Sequence, residues 1–348
     1  MMIQRQRYRS WWYPMVRSGF GRALAVAVVA ALCVLTVFLP AAQCAAGAGY
    51  PEREIEFVTQ SSVGGGGDVV ARQLIEYSKK LVGKPMIVTN KPGAGGKNIE
   101  NYMATKKPDG YNLMITTATN VLWKYVQASG VDLLTDFRPV VRLQVEPNFV
   151  AVAASSPYRN FPDLVAAAKQ GKVKFGGSPV GGPEYLFFSN FCLDNGIKFS
   201  WVAYGGSGEG AVALLGGDIG AAMLQASESL DYIKAGKIRY LGVASAKRYS
   251  DIPEFAAVPT LKEQDYDFAF EHWRGVHALT GTPDYAVNFL VERFKQATET
   301  EGWKKWLKQS GQIGGYLGPE EFGKFIVEQD ALVKRIATKA KLLKVKQR

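Results

Sequence analysis

Four glycine-rich turns are the segments whose residue types could do chemistry, and that chemistry is anion capture. They are Ser61–Asp68, Asn90–Asn98 (NKPGAGGKN), Gly176–Glu184 (GGSPVGGPE) and Tyr204–Glu209 (YGGSGE). The first follows a strand-like apolar stretch (Ile55, Phe57, Val58) and leads, from Asp68, into the periodic VVARQLIEYSKKL. That layout aims a helix N-terminus, with its unpaired backbone N–H groups, at whatever lies beyond the strand. Glycine lets a guest approach the backbone because no Cβ intervenes. The expected guest is an anion held by dipoles rather than by a dedicated arginine. Asp68 reads first as a helix cap accepting backbone N–H groups, with direct ligand contact as the alternative.

Catalytic patterns fit poorly. GGGGD lacks the lysine and hydroxyl residue of a phosphate-binding loop, and Asp68 stands where a dinucleotide fingerprint needs its third glycine. Ser207 in GGSGE lacks the glycine two residues later that a nucleophile elbow requires. The two histidines, His272 and His277, are too few and too close for most hydrolytic or zinc sites. Five apart on a strand or extended turn, they read as packing or hydrogen-bonding residues on opposite sides. Cys33 and Cys44 belong to the leader region, so Cys192 is a lone buried hydrophobe and there is no disulfide framework. No catalytic residue, metal site or cofactor is expected. The rival from another class is an exported α/β hydrolase using Ser207 or Ser178 as nucleophile.

The elements that must position these turns alternate along the chain. Strand-like runs at 85–89, 111–117, 148–154, 173–177, 199–203, 219–224 and 238–245 are separated by helical patterns at 161–170, 184–195, 208–215 and 228–235, with further helices at 284–299 and 319–345. Such alternation predicts α/β architecture, with mostly parallel sheets flanked by helices. Open sheets of this kind bind ligands beyond the carboxyl ends of their strands, where the four turns fall.

The first 48 residues read as an export signal: five arginines and no acid over residues 1–22, an apolar run from Ala23 to Ala42, and a small-residue ending through Ala46 and Ala48. A retained anchor or a lipoprotein ending at Cys44 are the alternatives. The formal charge of +11 is partly the leader's, since 37 basic residues face 31 acidic ones once its five arginines are set aside. That mild excess, much of it on the last helix (Lys334, Lys339, Lys341, Lys344, Lys346), is no nucleic-acid footprint.

From Tyr50 to the C-terminus the chain resembles the periplasmic receptors of tripartite tricarboxylate transporters, the Bug-type solute-binding proteins. The resemblance rests on YPEREIEFVTQ, GGGGDVVAR, NKPGAGG, KKPDGYNLMITT, DFRPVVRL, YGGSGEGAVALLGGDIGAAM, IKAGKIRYLGVASAKR, IPEFAAVPTLKE and WRGVHALTGTP in that order. It implies a two-lobed, Venus-flytrap protein, periplasmic and monomeric, that closes on a small carboxylate and presents it to membrane permease subunits. A sensory receptor serving a kinase would bind the same ligands. Lobe 1 would comprise residues 49–148 plus 275–348, and lobe 2 residues 149–274. Carried over, one wall of the cleft would hold Ser61, Ser62, Gly65 and Gly66, with Ala94, Gly95 and Gly96 beside them and Thr119 and Asn120 in a polar loop after the third strand. Ser178, Gly181, Gly182 and Ser207 would come from the other lobe. The chain departs from the family pattern at Gln60 and Ser61, where a proline and an aromatic are usual, and at the third turn, stiffened by Pro179 and Pro183. It departs again at Leu224 and Gln225, which leave an amino group on the ligand without an obvious partner.

Overall fold

The structure, a computed structural model, describes residues 49–126, 130–198 and 200–340; the export signal expected over 1–48 and the last lysines lie outside them. Among the described residues, no helix is long and apolar enough to cross a membrane. The chain runs β1 (Ile55–Thr59), α1 (Gly66–Val82), β2 (Met86–Asn90), α2 (Lys97–Ala104), β3 (Asn112–Thr117), α3 (Ala118–Val126), β4 (Phe137–Glu146), β5 (Asn148–Ala153), α4 (Phe161–Lys169), β6 (Phe175–Gly177), α5 (Pro183–Asp194), β7 (Trp201–Ala203), α6 (Ser207–Gly216), β8 (Ala221–Gln225), α7 (Ala226–Lys234), β9 (Ile238–Val243), α8 (Pro253–Ala256), β10 (His272–Leu279), α9 (Asp284–Glu299), α10 (Glu301–Gln309), β11 (Ile313–Leu317) and α11 (Pro319–Lys339).

Two sheets result, one per lobe, ordered β11-β4-β10-β3-β1-β2 and β7-β6-β8-β5-β9. The expected parallel pairing forms the part of each sheet that carries the glycine turns, β2-β1-β3 in the first and β7-β6-β8 in the second. Antiparallel strands complete both sheets: β10, β4 and β11 in the first, β5 and β9 in the second. The chain passes from the first sheet to the second between Glu146 and Asn148, and it returns ahead of His272.

Local sequence explains these elements. In α1, Val70, Leu74, Ser78 and Val82 are buried at intervals of four, which lays one face of the helix against the sheet. The helix ends at Gly83, whose φ of 73° gives the left-handed cap that only glycine adopts without strain. Phe57 of β1 meets Phe294 of α9 with ring centroids 5.8 Å apart. In the second lobe, Phe149 of β5 stacks on Tyr240 of β9 at 4.0 Å. Phe187 of α5 stacks at 4.1 Å on Phe270, in the segment that returns to the first sheet.

Candidate ligand-binding site

A cavity of about 310 Å³ opens between the two sheets. The first lobe contributes Gln60, Ser61, Gly66, Gly67, Thr117 and Thr119, and the second contributes the third turn from Ser178 to Glu184 (Gly181 excepted), Gly205, Gly206, Gln225 and Glu228. His272 and Arg274 reach it from β10.

The first turn is held by its own side chains. Ser61 donates its N–H to Thr59 Oγ1 at 3.2 Å, and its Oγ accepts from Gly67 N–H at 3.1 Å. Asp68 is buried behind the turn, where Oδ2 accepts from Gly64 N–H at 2.9 Å and both oxygens pair with Arg72. Burial pushes that carboxyl up, but the hydrogen bonds from Arg72, Gly64 and Asn90 outweigh it and hold the group below its ordinary range. Asp68 therefore braces the helix start from behind and does not line the cavity. Gly66 and Gly67 are tight for a plain reason: a Cβ on Gly66 would sit 2.2 Å from Arg274 Nη2, and one on Gly67 2.6 Å from Ser61 Oγ and Thr59 Oγ1.

Ser61, Gly66, Thr119, Ser178 and Gly182 of the expected site residues lie on this lining, whereas Ser62, Gly65, Ala94, Gly96, Asn120 and Gly181 do not. The second turn, with Ala94, Gly95 and Gly96 in a single 3₁₀ turn, stands behind the first. Its link is Asn90, whose Nδ2 donates to Ser61 O at 2.8 Å and to Asp68 Oδ1 at 3.0 Å. Gly96 (φ 93°) lets Trp123 pack against its backbone. Thr119 and Asn120 sit in the first turn of α3 rather than in a polar loop, because that helix starts directly after β3. Asn120 is buried, and its Oδ1 accepts from Thr117 N–H at 2.6 Å. Ser207 opens α6, next to the lining residues Gly205 and Gly206. Trp273 packs in the core, edge-on to Phe322 at 5.5 Å.

The charged floor is what the sequence did not announce. An arginine does stand in the cavity, contrary to the expectation of dipoles alone: Arg274 forms a short ion pair with Glu146 at the end of β4. Glu146 Oε1 also accepts from Ser227 N–H at 2.9 Å, at the start of α7 in the other lobe. Burial drives the Glu146 carboxyl up, but the charge of Arg274 and these hydrogen bonds together hold it below the ordinary range. Arg274 Nη2 approaches Gln225 Oε1 at 3.4 Å, and Gln225 Nε2 donates to Glu184 Oε1 at 2.8 Å. His272 Nδ1 lies 3.9 Å from the same Glu184 oxygen. Burial first, then the charge of Arg274, depresses the His272 imidazole to about 4, so it is neutral at neutral pH. His277 belongs to the core instead, where its Nδ1 shares a hydrogen bond of 2.8 Å with Thr116 Oγ1.

Loops from two lobes meeting over one cavity define a two-lobed solute-binding receptor. The chain belongs to the tripartite tricarboxylate transporter family of receptors, whose profile matches residues 70–342. It is similar to protein BugT of Bordetella pertussis, at 27% identity over 86% of this chain and 93% of the relative. Among solved structures it is similar to a TctC solute binding protein from Polaromonas, at 31% identity and a TM-score of 0.71 over 83% of this chain and 99% of the other. An R. palustris protein solved with adipate is 26% identical, with a TM-score of 0.74 over 84% of this chain and 98% of the other.

Proposed function

We propose that this chain is a periplasmic receptor that captures a small organic carboxylate by closing its lobes and hands it, unchanged, to membrane permease subunits. The observation that carries the reading is the composition of the cavity. The helix start at Gly66, with Ser61 beside it, and Arg274 on β10 converge there with the turns of the second lobe, between two sheets joined by two crossings. Amides at a helix start and a guanidinium both suit a carboxylate, since charge-assisted hydrogen bonds contribute roughly 1.5–3 kcal/mol each and several give micromolar affinity or better. The adipate held by the R. palustris relative is a ligand of that kind. Catalysis is not part of the proposal: among the described residues Ser178 Oγ has no hydrogen-bond partner, and a nucleophile needs an adjacent base.

Calorimetric titration and thermal shift of purified protein against mono-, di- and tricarboxylates and amino acids test the reading. A ligand at a hundredfold excess over its Kd is expected to stabilise the fold by about 2.7 kcal/mol. A panel without any shift would count decisively against a receptor. Gly66→Ala is the matching substitution: its Cβ displaces the Arg274 guanidinium, and binding is expected to fall by about tenfold or more. Full affinity in that variant would remove the first helix start from the site.

A further inference from the structure

The second lobe's wall is negative where an anion receptor is expected to offer donors. Pro183 at the first position of α5 has no N–H, and Gly182 gives its own to Pro179 O at 2.8 Å. Two of the fourth turn's amides are taken by the protein's own carboxylates: Gly205 donates to Glu209 at 2.9 Å and Gly208 to Glu228 at 2.6 Å. Glu184 at the start of α5 and Glu228 beside the start of α6 thus bring carboxylates to the cavity.

Glu184 sharpens the point. It is 1% exposed and lines the cavity, yet its only ion-pair partner among the described residues is His272, which is neutral at neutral pH. Arg274 pairs with Glu146 through Nη1, while its Nη2 lies toward Gly66 and Gln225. Glu228, also on the lining, keeps much of its surface toward solvent. The walls around it still push its carboxyl up, opposed by Gly208 N–H and reinforced by the charges of Glu146 and Glu184. Among the described residues, one cation, Arg274, thus faces three carboxylates here, Glu146, Glu184 and Glu228. A plain dicarboxylate would add two more negative charges to that excess. A buried carboxylate is tolerated when a cation pairs with it, and for Glu184 a cationic group on the ligand would be that partner. Ser178 Oγ and His272 Nδ1, on side chains more than nine-tenths buried in the lining, have no hydrogen-bond partner among the described residues.

We infer that the captured metabolite carries a cationic nitrogen as well as a carboxylate, with the nitrogen seated by Glu184 and Glu228 and the carboxylate at the α1 start and Arg274. This rests on the receptor reading above and narrows its ligand to an amino-carboxylate. It also reverses the expectation that an amino group would lack a partner after Leu224 and Gln225. The acid stands in the first turn of α5 and on α7, and Gln225 bridges the two poles by donating to Glu184 while accepting from Arg274.

Purified protein is titrated calorimetrically against length-matched pairs: succinate with γ-aminobutyrate, glutarate with δ-aminovalerate, adipate with ε-aminocaproate, and glutarate with glutamate. At least one amino member is expected to bind about tenfold or more tighter than its dicarboxylate partner. Glu184→Gln and Glu228→Gln, each checked for an intact thermal transition, are expected to narrow that preference; with two variants, a folding failure of one leaves the other to decide. Dicarboxylates binding as well as or better than their amino partners would overturn the inference and leave the receptor reading standing. An amino preference unchanged in a folded variant would overturn the seating of the nitrogen. No binding by any member of either series would overturn the inference, and the wider panel of mono- and tricarboxylates decides the receptor reading separately.

Discussion

Replacing Glu146 with alanine is expected to destabilise the fold by about 3–5 kcal/mol, because it leaves Arg274 charged, buried and unpaired. The two side chains are 0% and 5% exposed, so neither can turn to water for compensation. The pair also sits at the junction of the lobes. Glu146 precedes the crossing into the second sheet and accepts from Ser227 of α7, and Arg274 on β10 reaches Gln225 at the end of β8. Its loss removes contacts on both sides of the hinge. The neighbouring contacts set the size of related changes: Glu146→Gln keeps an acceptor for Ser227 and is expected to cost less than alanine. The double variant Glu146→Leu/Arg274→Met is expected to be more stable than Glu146→Ala, since it leaves no orphan charge. Urea unfolding read by linear extrapolation measures all three. Single and double variants of equal stability would show that the guanidinium finds another partner. The depressed Glu146 pKa adds a signed pH dependence. Its contribution is full above the unfolded value of about 4.3 and is lost as pH falls through the folded one.

How much of this was legible in the sequence follows from what kind of signal each part carries. The strands that hold the glycine turns are short apolar runs next to those turns, and β1 to β3 and β5 to β9 fall on the expected stretches. β4 (FRPVVRLQVE) mixes arginines and a proline into its pattern, and β11 (IGGYL) carries two glycines, so neither reads as a strand until the sheet supplies its partners. α3 was hidden because it follows β3 with no turn residues between them. The turns themselves were readable, since glycine before a helix is a local signal. Their occupancy was not. Glu209 lies four residues from the Gly205 amide it fills, but Glu228 lies twenty from Gly208, and Arg274 lies 128 from Glu146. Only the fold reveals which carboxylate meets which donor, and with it the sign of the second wall.

Acid lability well above the carboxylate range is expected from the two histidines of β10. Burial holds the His277 imidazole down to about 3, and burial with the Arg274 charge holds His272 at about 4, against an unfolded value of about 6.5. Between those limits the unfolded chain binds more protons than the folded one, so stability is full above about pH 6.5 and falls as the pH drops below it. Each histidine contributes a slope of about 1.4 kcal/mol per pH unit once the unfolded form is protonated. Near pH 4.5 the two together remove about 5 kcal/mol, comparable with the whole stability of many domains. The window lies above the one in which Glu146 acts, so the two effects separate along the pH axis. His277→Gln is the decisive variant because this ring, packed 4.9 Å from Phe322 and bonded to Thr116, lies in the core and outside the cavity lining. Its unfolding free energy is expected to lose only about half as much as the parent's between pH 6.5 and 4.5, whatever the substitution costs at neutral pH. Denaturant midpoints across that range measure it, and a parent protein whose stability stays flat from pH 6.5 to 4.5 would show that both imidazoles take up protons in the folded state.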